Sequence, residues 1–318
     1  MTDNEKRRHS IFMHYSTHLI FLKESGILKI DLKFDRTYIC PICLRQFSEA
    51  DLDQGLKNPL TLEDAPPKSL GGKASVLTCR ECNNTAGHHI DVHLTERMNE
   101  LDHEAFLPGV IFSAQLKNDG KISGGKVSVS ETGEITIRHD IKKNHPEKLK
   151  EYIAATVKDS PVEIIFETKT DPFRVQLALL KTGFLLTFVK FGYSFILNES
   201  YNRVRDQLRN PKHDIYPTDF WFQSDALANH YGVPFIIEPG IEAIFPIFAL
   251  KTKFSERPFG TVIPLTTKPI EEIIAELKRR FATAKGFEAA MDRMDETDYL
   301  FDYGAIIKML DWIEKLKT

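Results

Sequence analysis

Two C-x-x-C pairs constrain this chain more than any other feature. Cys40-Pro41-Ile42-Cys43 and Cys79-Arg80-Glu81-Cys82 stand thirty-five residues apart and hold all four cysteines of the 318-residue sequence. Residues 1–10 are polar and charged, unlike a secretory leader, so the expected compartment is the cytosol, where disulfides are disfavoured. Paired knuckles at this spacing suit a tetrahedral Zn2+ held by four thiolates. Four protein ligands leave no open coordination position. The zinc is therefore expected to staple the fold and take no part in chemistry.

The segment between and just after the knuckles carries the candidate chemistry. Leu60-Thr61-Leu62-Glu63-Asp64-Ala65-Pro66-Pro67 reads as a strand ending in a carboxylate pair, because a proline cannot continue a central strand. Lys68-Ser69-Leu70-Gly71-Gly72 reads as a turn, with Lys68 and Lys73 beside it as possible phosphate contacts or plain solvated lysines. Asn83 follows directly on Cys82, so zinc would hold it in place. Residues 85–97 read as a helix bearing His88, His89, Asp91 and His93. On an α-helix His89 and His93 share one face, and His88 and Asp91 another. Hydrolysis of a phosphodiester needs an activated water and stabilisation of charge on the phosphate, and a hard divalent cation bound by oxygen donors or imidazole supplies the second. Glu63, Asp64, Asn83, His88, His89, Asp91 and His93 are the available donors and bases.

Taken together, the motifs resemble the HNH endonuclease family, in the branch written C-x-x-C, L-T-x-E-H-x-x-P, L-G-G, C-x-x-C-N and a downstream glycine and acid. The matching residues are Cys40, Cys43, Leu60, Thr61, Glu63, Pro67, Leu70, Gly71, Gly72, Cys79, Cys82, Asn83, Gly87 and Asp91, within a stretch that covers about a sixth of the chain. The resemblance implies a ββα-metal finger with structural Zn2+ and a catalytic Mg2+ or Mn2+ held by Glu63, Asp64, Asn83 and Asp91. His88 and Asp91, then His93, are expected to face the site. It also implies a nucleic-acid substrate, DNA ahead of RNA, with restriction or anti-phage defence as a setting. A two-strand cut would need a homodimer or a partner protein. One position departs: the family's general-base histidine is Asp64 here. An ordinary aspartate is about 2.6 pKa units less basic than histidine. Asp64 as a weaker base, Asp64 as a metal ligand with a helix histidine as base, and a catalytically degenerate interaction module all remain open.

The rest of the chain reads as a larger domain of unassigned role. Expected are a frayed arm over residues 1–9, a helix over 11–23 bearing His14 and His18, and a short strand over 28–32. Antiparallel strands over 109–116, 121–130 and 134–140 turn at Asn118-Asp119-Gly120 and Thr132-Gly133. A helix over 146–155 and a strand over 162–168 follow. Asp171-Pro172 caps a long apolar helix to about 197, which Lys181 and Lys190 mark as a buried core helix and not a membrane span. Residues 198–208 carry Arg203 and Arg205, with Arg209 next, a basic end read as a solvated face in preference to a phosphate contact. Strands over 235–237, 241–251 and 260–265 and helices over 269–284 and 305–315 complete the chain.

Apolar residues make up 42% of the sequence and charged residues 27%, ordinary for a folded protein, and the net charge of −3 requires any basic surface to be local. The expected fold is α+β: an N-terminal helix and zinc-stapled finger over residues 1–103, then an α+β domain over 104–318.

Overall fold

A computed structural model describes residues 1–157, 161–166, 168–265, 267–283, 290–292 and 297–316. Helix α1 (Asp3–Glu24) opens the chain. Strands β1 (Tyr38–Ile39) and β2 (Gln46–Phe47) frame the first knuckle, and β3 (Leu60–Ala65) and β4 (Lys73–Cys79) form the hairpin between the knuckles. A helical run follows: α2 (Arg80–Ala86), one π-helical turn (Gly87–Asp91) and α3 (Val92–Glu104). Next come β5 (Ile111–Asn118), β6 (Lys121–Val129), β7 (Ile135–His139), α4 (Pro146–Ala155), β8 (Glu163–Ile165), α5 (Pro172–Phe191), α6 (Tyr193–Ile196) and α7 (Asn202–Arg209). Short strands between Trp221 and Pro264, and helices α8 (Ile270–Thr283) and α9 (Tyr303–Lys315), end the chain. Helix and antiparallel strand are thus mixed, as the sequence leads one to expect.

Contacts divide the chain into two compact units. One comprises Met1–Leu94, Pro172–Leu250 and Arg257–Thr318; the other comprises Thr95–Asp171 and Lys251–Glu256. The sequence suggests a cut after residue 103, whereas these units are nested, the second being an excursion from the first.

In the first unit the expected frayed arm is helical. Thr2 accepts the backbone N–H of Glu5, and Glu5 reaches back to the N–H of Thr2 at 2.7 Å, a capping box that starts α1 eight residues early. Residues 28–32, expected as a strand, form none; the first pairing is Tyr38↔Phe47 and Ile39↔Gln46. The hydroxyl of Tyr193 takes the place of a further strand there, accepting from Ile39 N at 2.9 Å and donating to Ile39 O at 3.0 Å.

Helix α5 is the buried core helix expected from its two lysines: long and apolar enough to span a membrane by composition alone, yet mostly enclosed by the fold. It stops at Phe191, earlier than expected, because Gly192 takes φ +56° to turn the chain, and a Cβ there would meet the ring of His18 at 2.2 Å. Arg205, expected on a solvated face, is buried and bonds the carbonyls of Ile196 and Asn198 and the side chain of Asn202. Residue 284, the expected end of α8, lies outside the described residues.

The second unit is a four-stranded antiparallel sheet of order β7-β6-β5-β8 with α4 against it. Val110, Phe112, Ala114, Leu116, Val127, Val129 and Tyr152 form its core. The β5–β6 turn places Asp119 at φ +46° and Gly120 at φ +72°, both left-handed, as the Asn-Asp-Gly signal requires. The strand expected over 162–168 is shorter, and residue 167 lies outside the described residues.

Candidate metal centre and acidic site

The sulfur atoms of Cys40, Cys43, Cys79 and Cys82 lie within 4.8 Å of one another, and all four thiols are free. Tetrahedral ligands at about 2.3 Å from a zinc ion stand about 3.8 Å apart. Cys43 Sγ and Cys79 Sγ are 3.7 Å apart, far beyond a disulfide and right for a shared metal. The four thiols form a cluster that can hold one zinc ion. Arg45 donates from Nε to Cys43 Sγ at 3.3 Å and from its terminal nitrogen to Cys79 Sγ at 3.4 Å, and its guanidinium also meets Glu81 at 2.5 Å. A guanidinium so placed offsets part of the two net negative charges of a four-thiolate zinc centre.

The knuckles fix the hairpin to the helix that follows. Strand β4 ends on Cys79 and α2 begins at Arg80, so the second knuckle is the hinge between them. Leu60 pairs with Cys79, Thr61 with Thr78 and Glu63 with Val76, and the register shifts between Glu63 and Asp64. The shift is a β-bulge, which bends the strand at the acidic pair. Gly72 closes the hairpin against Pro66, where a Cβ would fall 1.6 Å from the carbonyl oxygen. Only glycine fits that approach.

Asn83 spends both amide protons on the hairpin, donating to Thr61 Oγ1 at 3.0 Å and to Leu62 O at 2.9 Å. Its carbonyl oxygen is the atom left to meet a cation.

Glu63 is 4% exposed, and Thr78 Oγ1 donates to its Oε2 at 2.9 Å. Its Oε1 meets the ammonium of Lys181 at 2.8 Å, and Asp91 Oδ2 meets the same ammonium at 2.5 Å. Lys181 projects from α5 and has no exposed surface. Glu63 from the hairpin and Asp91 from the π-helical turn therefore converge on one cation, and that cation belongs to the chain. Burial pushes the Glu63 carboxyl up, and Lys181 and Thr78 draw it back only in part. Burial alone would depress the Lys181 ammonium, but the two carboxylates overcome it and hold the ammonium above the usual lysine range.

Asp64 is half-buried. Burial raises its carboxyl, while Lys68, Lys181 and Arg7 act in the opposite direction. Lys68 and Arg7 are exposed, so the outer side of the acidic site carries positive charge. Arg7 was hidden in the sequence because its segment reads as an arm; the capping box makes it part of α1.

The histidines separate. His88 is exposed, His89 is half-buried, and His93 Nε2 lies 3.2 Å from the guanidinium of Arg174. The π-helical turn over Gly87–Asp91 alters the α-helical spacing on which the shared face of His88 and Asp91 was inferred. His18 is buried against Tyr193 and His14 packs on Phe301. Among the described residues, the four cysteines are the one group of three or more histidine, cysteine and acidic side chains whose ligand atoms lie that close together.

The second unit has its own polar groove, a cavity of about 450 Å³ beside β5 and β6 and the start of α4. Lys126, Lys143, Lys148, His145, Asn144 and Gly124 line it, with Asp140 as the opposing charge. Lys126 pairs across the sheet with Arg138, which adds a further cation to that strand pair.

Against known protein families, characterised proteins and solved structures, the chain finds no match.

Proposed function

We propose that the chain is a metal-dependent endonuclease of the HNH type, hydrolysing nucleic-acid phosphodiester bonds, with zinc holding a ββα finger. The observation that carries this reading is the convergence of Glu63 and Asp91, twenty-eight positions apart, on one ammonium, that of Lys181, at the hairpin between the two cysteine knuckles. The donor set suits a hard divalent ion: three carboxylates, Glu63, Asp64 and Asp91, with the amide oxygen of Asn83. When bound, such an ion would neutralise charge developing on the scissile phosphate. Glu63 and Asp91 form the inner wall of the site. Asp64, half-buried, is either an outer ligand of that ion or, with its carboxyl raised by burial and no ion upon it, the group that takes a proton from water. Arg7 and Lys68 draw the phosphate toward Asp64, and the lysine groove of the second unit is a phosphate-binding surface of its own. DNA is the substrate expected from the motif resemblance, with defence against foreign DNA as its setting.

A second reading, a zinc-stapled interaction module without catalysis, is favoured by one observation: a lysine ammonium lies between the two inner carboxylates. Plasmid nicking separates the two. Zinc-loaded protein with Mg2+ or Mn2+ should nick supercoiled DNA, and Asp64→Ala and Asn83→Ala should lose at least ~100-fold of that rate while retaining zinc. Absence of nicking with either ion, alone or with candidate partner proteins, leaves the module. Nicking gained by Asp64→His would identify the missing general base as the limiting defect.

A further inference from the structure

Lys181 is the least expected member of the acidic site. Its neighbours on α5, from Ala178 to Leu185, are buried, and most of them are apolar. Lysine in such a helix is a buried charge that requires compensation. Compensation comes from two carboxylates on two different elements, at 2.8 and 2.5 Å. No other lysine or arginine among the described residues forms ion pairs with two acids while having no exposed surface.

We infer that Lys181 is the resident cation of the acidic site, its ammonium occupying the position that Glu63 and Asp91 would otherwise offer a divalent ion, so that the two cations exclude one another. The inference rests on the reading of Glu63 and Asp91 as cation-binding acids. Divalent ions sit about 2.0 to 2.6 Å from carboxylate oxygens. An ion bound to Glu63 Oε1 and Asp91 Oδ2 would therefore overlap the Nζ already within hydrogen-bond reach of both. Charge gives the same answer: with Lys181 in place the inner pair carries one net negative charge, and without it two. A divalent ion matches the second state.

The consequence is a site closed to metal at its inner end while α5 keeps Lys181 between the acids. A divalent ion enters by moving that ammonium, or is held only by the outer donors, Asp64 and Asn83. Either way Lys181 sets the metal requirement. It is a positioning residue, acting through Glu63 and Asp91.

Mn2+ binding tests this, read as thermal stabilisation of the zinc-loaded full chain and as the loss of the free Mn2+ spin-resonance signal. Wild type is compared with Lys181→Met, which keeps an unbranched side chain one atom shorter and removes its charge. Lys181→Met should show a saturable rise in midpoint of about 5 °C or more at a hundred-fold excess of Mn2+ over its dissociation constant, and wild type a clearly smaller rise at the same Mn2+ concentration, since there the ion must displace the ammonium or rest on Asp64 and Asn83 alone. If Lys181→Met proves soluble only with Mn2+, that dependence is itself the expected result. The double variant Glu63→Gln/Lys181→Met removes one charge of each sign, and it should fold without Mn2+ and lose the response. Equal Mn2+ responses in wild type and Lys181→Met, both abolished by Glu63→Gln, overturn the inference, since the two cations then coexist. No response in any variant overturns it as well, since the acids then bind no divalent ion. The nuclease reading fails separately: Mn2+ binding confined to Lys181→Met without plasmid nicking leaves the inference standing and removes the catalysis.

Discussion

The side-chain amide of Asn83 donates to the carbonyl oxygen of Leu62 at 2.9 Å, so the residue after the last cysteine is tied to the residue before the acidic pair. The same amide donates to Thr61 Oγ1 at 3.0 Å. A zinc ion on the four thiols would fix Cys82 and with it Asn83, whose amide holds the strand that carries Glu63. Asn83→Ala deletes both bonds and should cost about 2 kcal/mol of stability. Asn83→Asp should cost more, because it sets a carboxylate oxygen against the Leu62 carbonyl where a donor stood. Denaturant unfolding of zinc-loaded protein measures both. An aspartate variant as stable as wild type would show that the amide does not organise the hairpin.

Zinc itself is the next link. Structural zinc contributes on the order of 10 kcal/mol of apparent binding energy to small domains folded around it. Cys82→Ser should therefore lose the metal and with it the packing of β3 and β4 on α2, seen as elemental analysis falling from one zinc per chain and a collapsed thermal midpoint. Arg45 should tune the retention. Arg45→Met removes two N–H···S bonds, at 3.3 and 3.4 Å, and should weaken zinc affinity about ten-fold in competition with a chromophoric chelator. Unchanged affinity would assign Arg45 only to its ion pair with Glu81.

Much of this was legible in the sequence because it is local. The C-x-x-C spacing, the Asn-Asp-Gly and Thr-Gly turns, Pro146 at the head of α4 and Pro172 at the head of α5 all act within a few residues of themselves. The helix over 146–155 matches residue for residue. What stayed hidden is set by distant packing. Lys181 reads as a mark against a membrane span, and its partners lie 118 and 90 positions away. No periodicity joins such residues. The bulge at Glu63/Asp64 and the π-helical turn at Gly87–Asp91 each alter the facing of one acid, and neither has a residue signature in this chain. Arg205 looked solvated because three arginines in seven residues suggest a surface, yet one is spent on capping carbonyls inside the fold.

The groove of the second unit predicts salt dependence. Each phosphate neutralised by a lysine releases counterions, and the slope of log affinity against log salt is about −0.9 per contact on duplex DNA. Replacing Lys126, Lys143 and Lys148 together by alanine should weaken DNA binding and flatten that slope by about 3 if all three meet phosphate. Fluorescence anisotropy with a labelled duplex from 50 to 200 mM salt, roughly the range over which such slopes are resolved, gives both quantities. A reduced affinity with an unchanged slope would mean that the lysines shape the groove without contacting phosphate. An unchanged affinity would remove the groove from the substrate path.

His18 predicts acid sensitivity independent of the acidic site. Burial, reinforced by His14 and opposed by Asp298, brings its imidazole down to about 3 from an ordinary value near 6.5. The backbone N–H of Tyr193 points at its Nδ1 at 3.4 Å, which favours the neutral ring with its proton on Nε2. Above pH 6.5 the ring is neutral in both folded and unfolded chains and contributes no pH dependence. As pH falls below that value only the unfolded chain takes up the proton, so stability is lost progressively toward pH 3. Between pH 7.5 and 5.5 the loss from this one group is about 1.4 kcal/mol. His18→Asn keeps an acceptor for Tyr193 N–H and cannot titrate. It should be less stable than wild type at pH 7.5 through lost packing, yet its stability should fall less than that of wild type by pH 5.5. Urea midpoints at the two pH values give the difference of differences. Parallel pH profiles for the two proteins would mean that His18 is already neutral in the unfolded chain, or protonated in the folded one, and would sink the assignment.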